Sequence, residues 1–486
     1  MDKQIDAYIE CDKSLLIAPA GYGKTTLLAN CISKLLSIVS KSKRILILTH
    51  THAGVASIKK KCNEIESKGF VEITTISGFV QKLVGSFNGS LPIPNNDGRP
   101  NFNKVNEEAI LISKLNIVQK IVSNTYSHFF VDEYQDCSSQ QHKILINLTK
   151  YIPLHILADP LQAIFRFNKN EGILNFATDF TEFKRFDFLQ IPWRWFQDGN
   201  NKVLGETIKT LRTSLITSQE IYFATLSGVK FIELSSIKEN FYQELHNLIH
   251  SLNSNSLLIL YPNGFGYGIE KRAQNRVRFD YAKEFTLIEA IDDKSFYSVA
   301  LKIDDLLKRE TEDNKCYQSI LELISSISFN KRDIDLWFNN KWVKCKRDEN
   351  DKLIATELSS ILQSVITTNN VCNISKLLSF LRYELHFTPQ RPELFKSIMS
   401  ILKIHSSETM IERMSNNRNR VRIVGRKVDG KCIGTTLLTK GLEFDDVILI
   451  DAHKISNKEN FYVAMTRASK RLFVFSESNK WPIINI

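Results

Sequence analysis

The sequence lacks the cysteine pairs that structural metal sites require. Its eight cysteines include no C-x-x-C pair, and no Cys/His cluster has zinc or iron–sulfur spacing. Scattered cysteines of this kind are typical of small apolar core residues in a reducing compartment. A zinc or iron–sulfur domain is therefore not expected.

Long apolar runs are also missing. No run reaches the ~18 residues of a membrane span, and the first residues, MDKQIDAYIECDKS, lack the apolar core of a signal peptide. We therefore expect a cytoplasmic protein without a membrane partner. The length of 486 residues predicts two to four domains. A net charge of +11 is compatible with a polyanionic partner but does not demonstrate one.

A phosphate-binding loop is indicated near the N-terminus. The apolar strand Leu15 to Ile17 precedes the loop APAGYGKTT, and the apolar residues that follow recur with the helical period of 3.6. Small loop residues and a helix N-terminus form a cradle for phosphate. Lys24 would reach the β and γ oxygens, and the Thr25 hydroxyl would hold Mg²⁺. The predicted nucleotide-binding loop comprises Ala18, Pro19, Ala20, Gly21, Tyr22, Gly23, Lys24, Thr25 and Thr26.

Two acids follow the apolar strand Phe129 to Val131. Strand alternation aims Asp132 and Glu133 in different directions, so they can take different roles. Asp132 would hold Mg²⁺, and Glu133 would polarise the attacking water. The alternative is a pair of solubilising acids at a strand end. The phosphate loop favours the catalytic interpretation.

A third strand, Leu154 to Ala158, also ends in polar residues, at what should be the carboxyl edge of the same sheet. Phe165-Arg166-Phe167 follows shortly after it. Core packing explains most such triplets, and stacking on unpaired bases is the alternative. Upstream, Gly78 and the segment from Val84 to Asn103 are predicted to form a surface excursion. The basic stretches Lys271 to Arg278 and Arg413 to Arg426 are predicted to be solvated surface rather than a binding stripe.

The motifs occur in a recognisable order. They are APAGYGKTT, LTHTHAGV, TISGF, VDEYQD, ADPLQAIFRF, PWRW, TTLLTKGLEFDDVILID and YVAMTRASKRL. Together they resemble the UvrD/Rep/PcrA type of superfamily 1 DNA helicase over about residues 1 to 200 and 420 to 486. The resemblance implies an α/β fold with two RecA-like P-loop NTPase lobes, each a parallel sheet flanked by helices. It also implies ATP as substrate, Mg²⁺ as cofactor and 3′–5′ movement on single-stranded or forked DNA.

The resemblance implies a domain plan as well. Residues 1–195 would form the N-terminal lobe, with a short helical insertion at about 81–125. Residues 196–265 and 416–486 would form the second lobe. The helical pattern and scattered charge of about residues 266–415 predict a mostly helical insertion in that lobe.

Further residue roles come from the resemblance alone. Gln4 would contact adenine, Trp193 would replace a stacking tyrosine beside it, and Glu443 would touch the ribose. Gln162, Arg194 and Arg467 would sense the γ-phosphate. The arginines would then neutralise developing charge only when the lobes close.

DNA contacts are implied at His50, Thr51, Phe165, Phe167, Thr436 and Lys440. Several positions depart from the family pattern, because Leu437 replaces histidine, Phe167 replaces tryptophan, Asn168 replaces arginine and His50 replaces phenylalanine. The ATP groups therefore match the pattern better than the base-contact groups do.

Two functions remain open at this stage. One is a DNA-stimulated motor. The other is a DNA-end-sensing ATPase that activates a partner nuclease, which the altered base-contact residues and the reduced insertions favour. Compact UvrD-like chains of this size resemble the helicase-like GajB subunit of Gabija antiphage systems, which works with a TOPRIM/OLD-type nuclease. A P-loop enzyme acting on a small substrate is a third, weaker alternative.

Overall fold

The computed structural model describes residues 2–38, 42–63, 69–89, 101–165, 174–197, 200–234, 240–262, 277, 281, 284–289, 294–308, 314–404, 406–424, 428, 430–455 and 457–481. The chain divides into two compact units. One consists of Met1–Leu91, Phe102–Ile288 and Ile423–Ile486. The other consists of Pro92–Asn101 and Glu289–Arg422.

The first sheet of the larger unit has six parallel strands in the order β3-β2-β4-β5-β1-β6. They are β1 Lys13–Ile17, β2 Arg44–Thr49, β3 Val71–Thr75, β4 Tyr126–Val131, β5 Leu154–Ala158 and β6 Lys184–Phe186. Every residue of β5 is buried, as in a central parallel strand covered on both faces. The carboxyl ends of β1, β4 and β5 therefore meet at one edge.

Seven helices among the described residues accompany this sheet. They are α1 Asp2–Ile9, α2 Lys24–Ile38, α3 His52–Asn63, α4 Ile76–Asn88, α5 Phe102–Ser113, α6 Asn116–Thr125 and α7 Ser139–Leu148. We call the first sheet with these helices the first lobe.

The prediction of a surface excursion was wrong for α4, which runs through Gly78 and Val84. Thr75 caps this helix by accepting the Gly78 N–H at 3.1 Å. Val84 is fully buried in the core, and the helix ends at Gly89, which has φ 75°. Capping and burial therefore outweigh the low helix propensity of Gly78. Residues 90–100 of the predicted excursion lie outside the described residues.

The second sheet is also parallel and six-stranded, in the order β10-β11-β9-β12-β13-β8. A short antiparallel pair, β7 Ile221–Tyr222 with β14 Lys480–Trp481, lies apart from it. The six strands are β8 Val229–Glu233, β9 Leu257–Tyr261, β10 Thr286–Leu287, β11 Lys431–Thr435, β12 Phe444–Ile450 and β13 Ala468–Ser476.

The helices that accompany the second sheet are α8 Trp193–Phe196, α9 Lys202–Ile216, Phe241–Leu252, Thr436–Thr439 and Lys458–Met465. We call this sheet with its helices the second lobe. Strands far apart in sequence are thus joined in one sheet. The predicted α/β fold with two P-loop NTPase lobes is confirmed.

The smaller unit is helical and has its own apolar core. Its helices are Lys294–Leu307, Asn314–Ser326, Lys331–Trp337, Glu349–Thr367, Val371–Tyr383, Pro392–Leu402 and Met410–Val424. Within the described ranges, no helix combines the length and apolar character needed to cross a bilayer.

Two arginines of the smaller unit contradict the prediction of solvated surface. Arg418 is 1% exposed, and its guanidinium carbon lies 4.2 Å from the centre of the Phe296 ring. Its Nη2 also donates to the Ser397 hydroxyl at 2.5 Å. Arg413 is buried as well and donates to the carbonyl of Ile404 at 2.7 Å. The long arginine stem and planar head allow such burial when partners are present.

His155 on β5 makes the stability of the first lobe sensitive to acid. Its ring is fully buried 4.6 Å from that of Phe130, and burial lowers its pKa to about 3. The folded pKa is below the unfolded value, so the stabilisation is complete above pH 6.5 and is lost as the pH falls toward 3. From pH 7 to pH 5 this group alone should lower the free energy of unfolding by about 2 kcal/mol.

Urea denaturation at the two pH values tests this expectation. His155→Phe should lack that part of the pH dependence, whereas His250→Phe, at an exposed position, should keep it. An unchanged pH dependence in His155→Phe would contradict the assignment.

Candidate active site

The phosphate loop links the end of β1 to the start of α2. Gly21 and Gly23 have φ of 75° and 90°, in the left-handed region that favours glycine. The Lys24 ammonium donates to the carbonyls of Ala18 at 2.7 Å and Pro19 at 3.0 Å. A bound nucleotide would compete with these carbonyls for the lysine.

Helix α8 packs directly on this loop. The backbone N–H of Arg194 donates to the carbonyl of Gly21 at 3.0 Å. The Trp195 indole N–H donates to the carbonyl of Ala468 on β13 at 2.7 Å. A Cβ at Gly23 would lie 3.2 Å from Trp193. The loop is therefore connected through α8 to the second lobe.

Gly21→Ala should damage this contact. An added Cβ would lie 2.7 Å from the Trp195 ring, in a backbone conformation that alanine adopts with strain of about 1–3 kcal/mol. We expect a lower melting temperature and weaker binding of a fluorescent ATP analogue. Gly85→Ala on α4 is the matched control, because a Cβ added at Gly85 would have no neighbour closer than 4 Å among the described residues. Unchanged ATP binding in Gly21→Ala would show that the loop does not depend on this packing.

The two acids after β4 are in different electrostatic states. Burial raises the pKa of Asp132 to about 7, with the Glu133 charge adding to the effect and Lys24 opposing it. Burial would also raise the pKa of Glu133, but Lys440 and Lys24 outweigh it and the pKa is lowered overall. Glu133 has φ 57°, which is uncommon for a side chain larger than glycine. The two carboxyl groups therefore differ in acidity, which suits them to different roles.

A chain of polar contacts extends from Glu133 across the sheet edge. The Gln135 amide donates to Glu133 Oε2 at 2.5 Å, and its oxygen accepts the N–H of Asp159 at 2.9 Å. Asp159 accepts from Gln162 Nε2 at 2.8 Å, and its Oδ1 lies 2.7 Å from Arg212 Nη1 on α9. Sequence reasoning assigned no role to Gln135, which lies inside the VDEYQD motif, or to Arg212, which has no local signal.

Two arginines predicted to sense phosphate lie at this edge. Arg467 is buried, and its Nη2 is 3.5 Å from Gln162 Oε1, so the two predicted sensors meet across the lobes. Burial, reinforced by Arg194, lowers the pKa of Arg467 to about 9. Arg194 Nε donates to Glu443 at 2.7 Å and Nη1 donates to the Thr466 carbonyl at 2.6 Å.

Lys440 lies deeper than its predicted DNA contact suggests. It is 2% exposed, and its ammonium donates to the carboxylate of Asp136 and to the Gln162 carbonyl, the latter at 2.5 Å. Burial raises the pKa of Asp136 to about 7 although Lys440 opposes the effect. Sequence reasoning assigned no role to Asp136.

The remaining predicted nucleotide contacts lie on α1, on α8 and on the loop with the start of α2. Gln4 is exposed on α1, and Trp193 is 44% exposed on α8. Thr26 accepts from Lys61 Nζ at 2.7 Å. Of the other loop residues, Ala18, Ala20 and Tyr22 are buried.

The predicted DNA contacts that the structure describes are all at least partly buried. His50 Nε2 lies 3.3 Å from Cys137 Sγ, and burial lowers the pKa of His50 to about 3. Thr51 accepts the N–H of Gly54 at 3.0 Å, and Thr436 donates to Asn460 at 3.1 Å. Phe165 has Lys440 Nζ 5.2 Å from its ring centre. Phe167 lies outside the described residues, and DNA contact stays a prediction for all six.

The oxygen groups that follow the loop and β4 are of the kind that binds Mg²⁺. Thr25, the second residue of α2, supplies a hydroxyl. Asp132 supplies a carboxylate, of which Oδ1 accepts the Glu133 N–H at 3.0 Å. Mg²⁺ prefers oxygen ligands and takes only one or two protein groups when phosphates and water fill the rest. A hydroxyl and a carboxylate are such a set.

Comparison with known families agrees with this geometry. Residues 2–168 match the family model AAA_19, described as an AAA domain, within the UvrD/Rep-like, helicase-related P-loop superfamily. The match ends before β6 and before the whole second sheet. A search of curated proteins found no match. Within residues 2–168 the chain is therefore similar to ATP-using P-loop domains.

Proposed function

We propose that the chain is a UvrD-like DNA translocase that hydrolyses ATP between its two lobes to move 3′ to 5′ on single-stranded DNA. The observation that carries the proposal is the meeting of Gln162 with Arg467, one from each lobe, beside the acids that follow β4. A P-loop enzyme acting on a small substrate has no need for phosphate sensors on two lobes. The proposed domain plan assigns residues 1–195 to the first lobe, 196–265 with 416–486 to the second lobe and 266–415 to the helical insertion. Helix α8 crosses the first of these borders, and the short strand β10 of the second sheet lies within the third range.

The chemistry follows from the roles of the side chains. Lys24 would bind the β and γ oxygens, and Thr25 with Asp132 would hold the metal. Mg²⁺ supplies charge neutralisation at the phosphates. Glu133, with its lowered pKa, stays ionised and orients the attacking water. Arg467 and Arg194 then offset the charge that develops on the γ-phosphoryl group.

Coupling to movement depends on the position of these groups. Arg194 is tied to the phosphate loop through the Gly21 carbonyl and to the second lobe through Glu443 and Thr466. Loss of the γ-phosphate removes an anion on which both lobes converge. Hydrolysis would therefore change the free energy of lobe closure, which a motor requires.

ATPase assays test the proposal directly. Turnover should rise when single-stranded DNA is added, and unwinding should start from a 3′ overhang rather than a 5′ overhang. Lys24→Ala should abolish turnover and serves as the background control. Turnover that no nucleic acid stimulates would rule out the motor.

A second function is favoured by one observation, the partial or full burial of the predicted DNA contacts. The chain would then sense DNA ends and activate a TOPRIM/OLD-type nuclease in antiphage defence, with little unwinding of its own. Nuclease activity that depends on this chain and on ATP, without strand separation, would favour this alternative. Processive unwinding by the isolated chain would exclude it.

A further inference from the structure

We propose that Lys440 is a positioning residue through which the second lobe regulates Glu133, so that the acid is held for hydrolysis only while the lobes are in contact. The inference rests on the proposed function. It gives the lysine a role other than the DNA contact that the family resemblance implies.

Among the described residues, the three carboxylate or carbonyl groups around the Lys440 ammonium belong to the first lobe. They are the Asp136 carboxylate, the Gln162 carbonyl at 2.5 Å and Glu133 Oε2 at 3.5 Å. The lysine itself follows the helix Thr436–Thr439 and precedes β12 of the second lobe. The contacts to Asp136 and Gln162 are hydrogen bonds, and the contact to Glu133 is a longer ion pair. The second lobe thus inserts one cation among the acids of the first.

Charge balance explains why this insertion matters. Asp132, Glu133 and Asp136 fall within five residues, and the side chain of Asp136 is completely buried. Withdrawal of a cation from a buried acid leaves an uncompensated charge, which is costly in a low-dielectric site. Lys440 and the Gln135 amide also contact the same oxygen, Glu133 Oε2. Lobe separation would remove one of these two restraints on the carboxylate.

Burial argues against a simple phosphate contact for this lysine. With 2% exposure, the ammonium would have to leave both acids to reach a DNA backbone. Surface lysines bind phosphate without that cost. The two roles make different kinetic predictions.

Lys440→Met is the main test, because it removes the charge and keeps the length. We expect kcat for ATP to fall at least about tenfold, as for loss of a restraint on a general base, while the KM for ATP and the affinity for a fluorescent single-stranded oligonucleotide stay within about twofold. Lys454→Met is the matched control. Lys454 also flanks β12 and pairs with an acid, Asp451, at 3.3 Å, and its replacement should leave kcat unchanged.

A double variant guards against misfolding. Asp136→Asn with Lys440→Met replaces the buried ion pair by a neutral pair and should restore the melting temperature but not kcat. Wild-type kcat in Lys440→Met, or in the double variant, overturns the inference. Unchanged kcat at saturating DNA with weaker oligonucleotide binding also overturns it, in favour of a DNA contact. A wild-type protein without ATPase activity would instead remove the proposed function itself.

Discussion

Replacing Glu133 with glutamine should slow ATP hydrolysis by about 10²–10⁴-fold while ATP binding stays nearly unchanged. The amide has almost the shape of the carboxylate but cannot accept the proton of the attacking water. The surroundings support an ionised base, because Lys440 and Lys24 lower the pKa of Glu133 despite burial. The measurement is steady-state turnover together with the affinity for a fluorescent ATP analogue.

A second acid provides the control. Glu357→Gln changes an exposed acid on the helix Glu349–Thr367 and should leave turnover at the wild-type level. If Glu133→Gln retained more than about a tenth of wild-type turnover, another group would have to act as the base.

The second large effect is expected for Arg467→Ala. An arginine that offsets charge on a transferring phosphoryl group contributes about 10³–10⁵-fold to kcat. Arg467 also donates to the carbonyls of Leu442 at 2.7 Å and Val463 at 2.8 Å, so the variant should lose stability as well. Arg467→Lys keeps the charge and should recover part of the turnover.

The neighbouring Arg471 separates the two effects. Arg471 lies on β13, which begins directly after Arg467. Its partly exposed side chain pairs with Asp446 at 2.5 Å. Arg471→Ala should lower stability modestly and leave kcat unchanged. If Arg467→Ala lost stability and kept its turnover, its role would be structural and the phosphate-sensing assignment would fail.

The sequence could predict those parts of the fold that have local signals. Strand β5 is recognisable as an apolar run followed by polar residues, and the phosphate loop by its small residues between a strand and a helix. The helix through Gly78 has one local signal, its N-cap Thr75, but its formation also depends on a buried face that packs through tertiary contacts. The burial of Arg418 likewise depends on Phe296, which no local pattern indicates.

The acid site shows the same limit. Lys440 and Asp136 are 304 residues apart in sequence, and no local sequence pattern around either residue indicates that the two side chains pair. The family motif predicts a DNA contact for Lys440 from its position in the sequence. The groups that the side chain contacts in the folded chain depend on how the two sheets pack, which the motif does not describe. Arg212 on α9 was missed for the same reason.

The packing of α8 on the phosphate loop gives the protein a built-in optical probe. Of only five tryptophans in the chain, Trp193 and Trp195 both lie against loop glycines, one partly exposed and one fully buried. Indole emission depends on solvent access, so ATP arriving at the loop should change the intrinsic fluorescence of the unlabelled protein. Titration of the emission in Trp193→Phe and Trp195→Phe would then report nucleotide arrival and loop displacement separately, without a dye and without turnover.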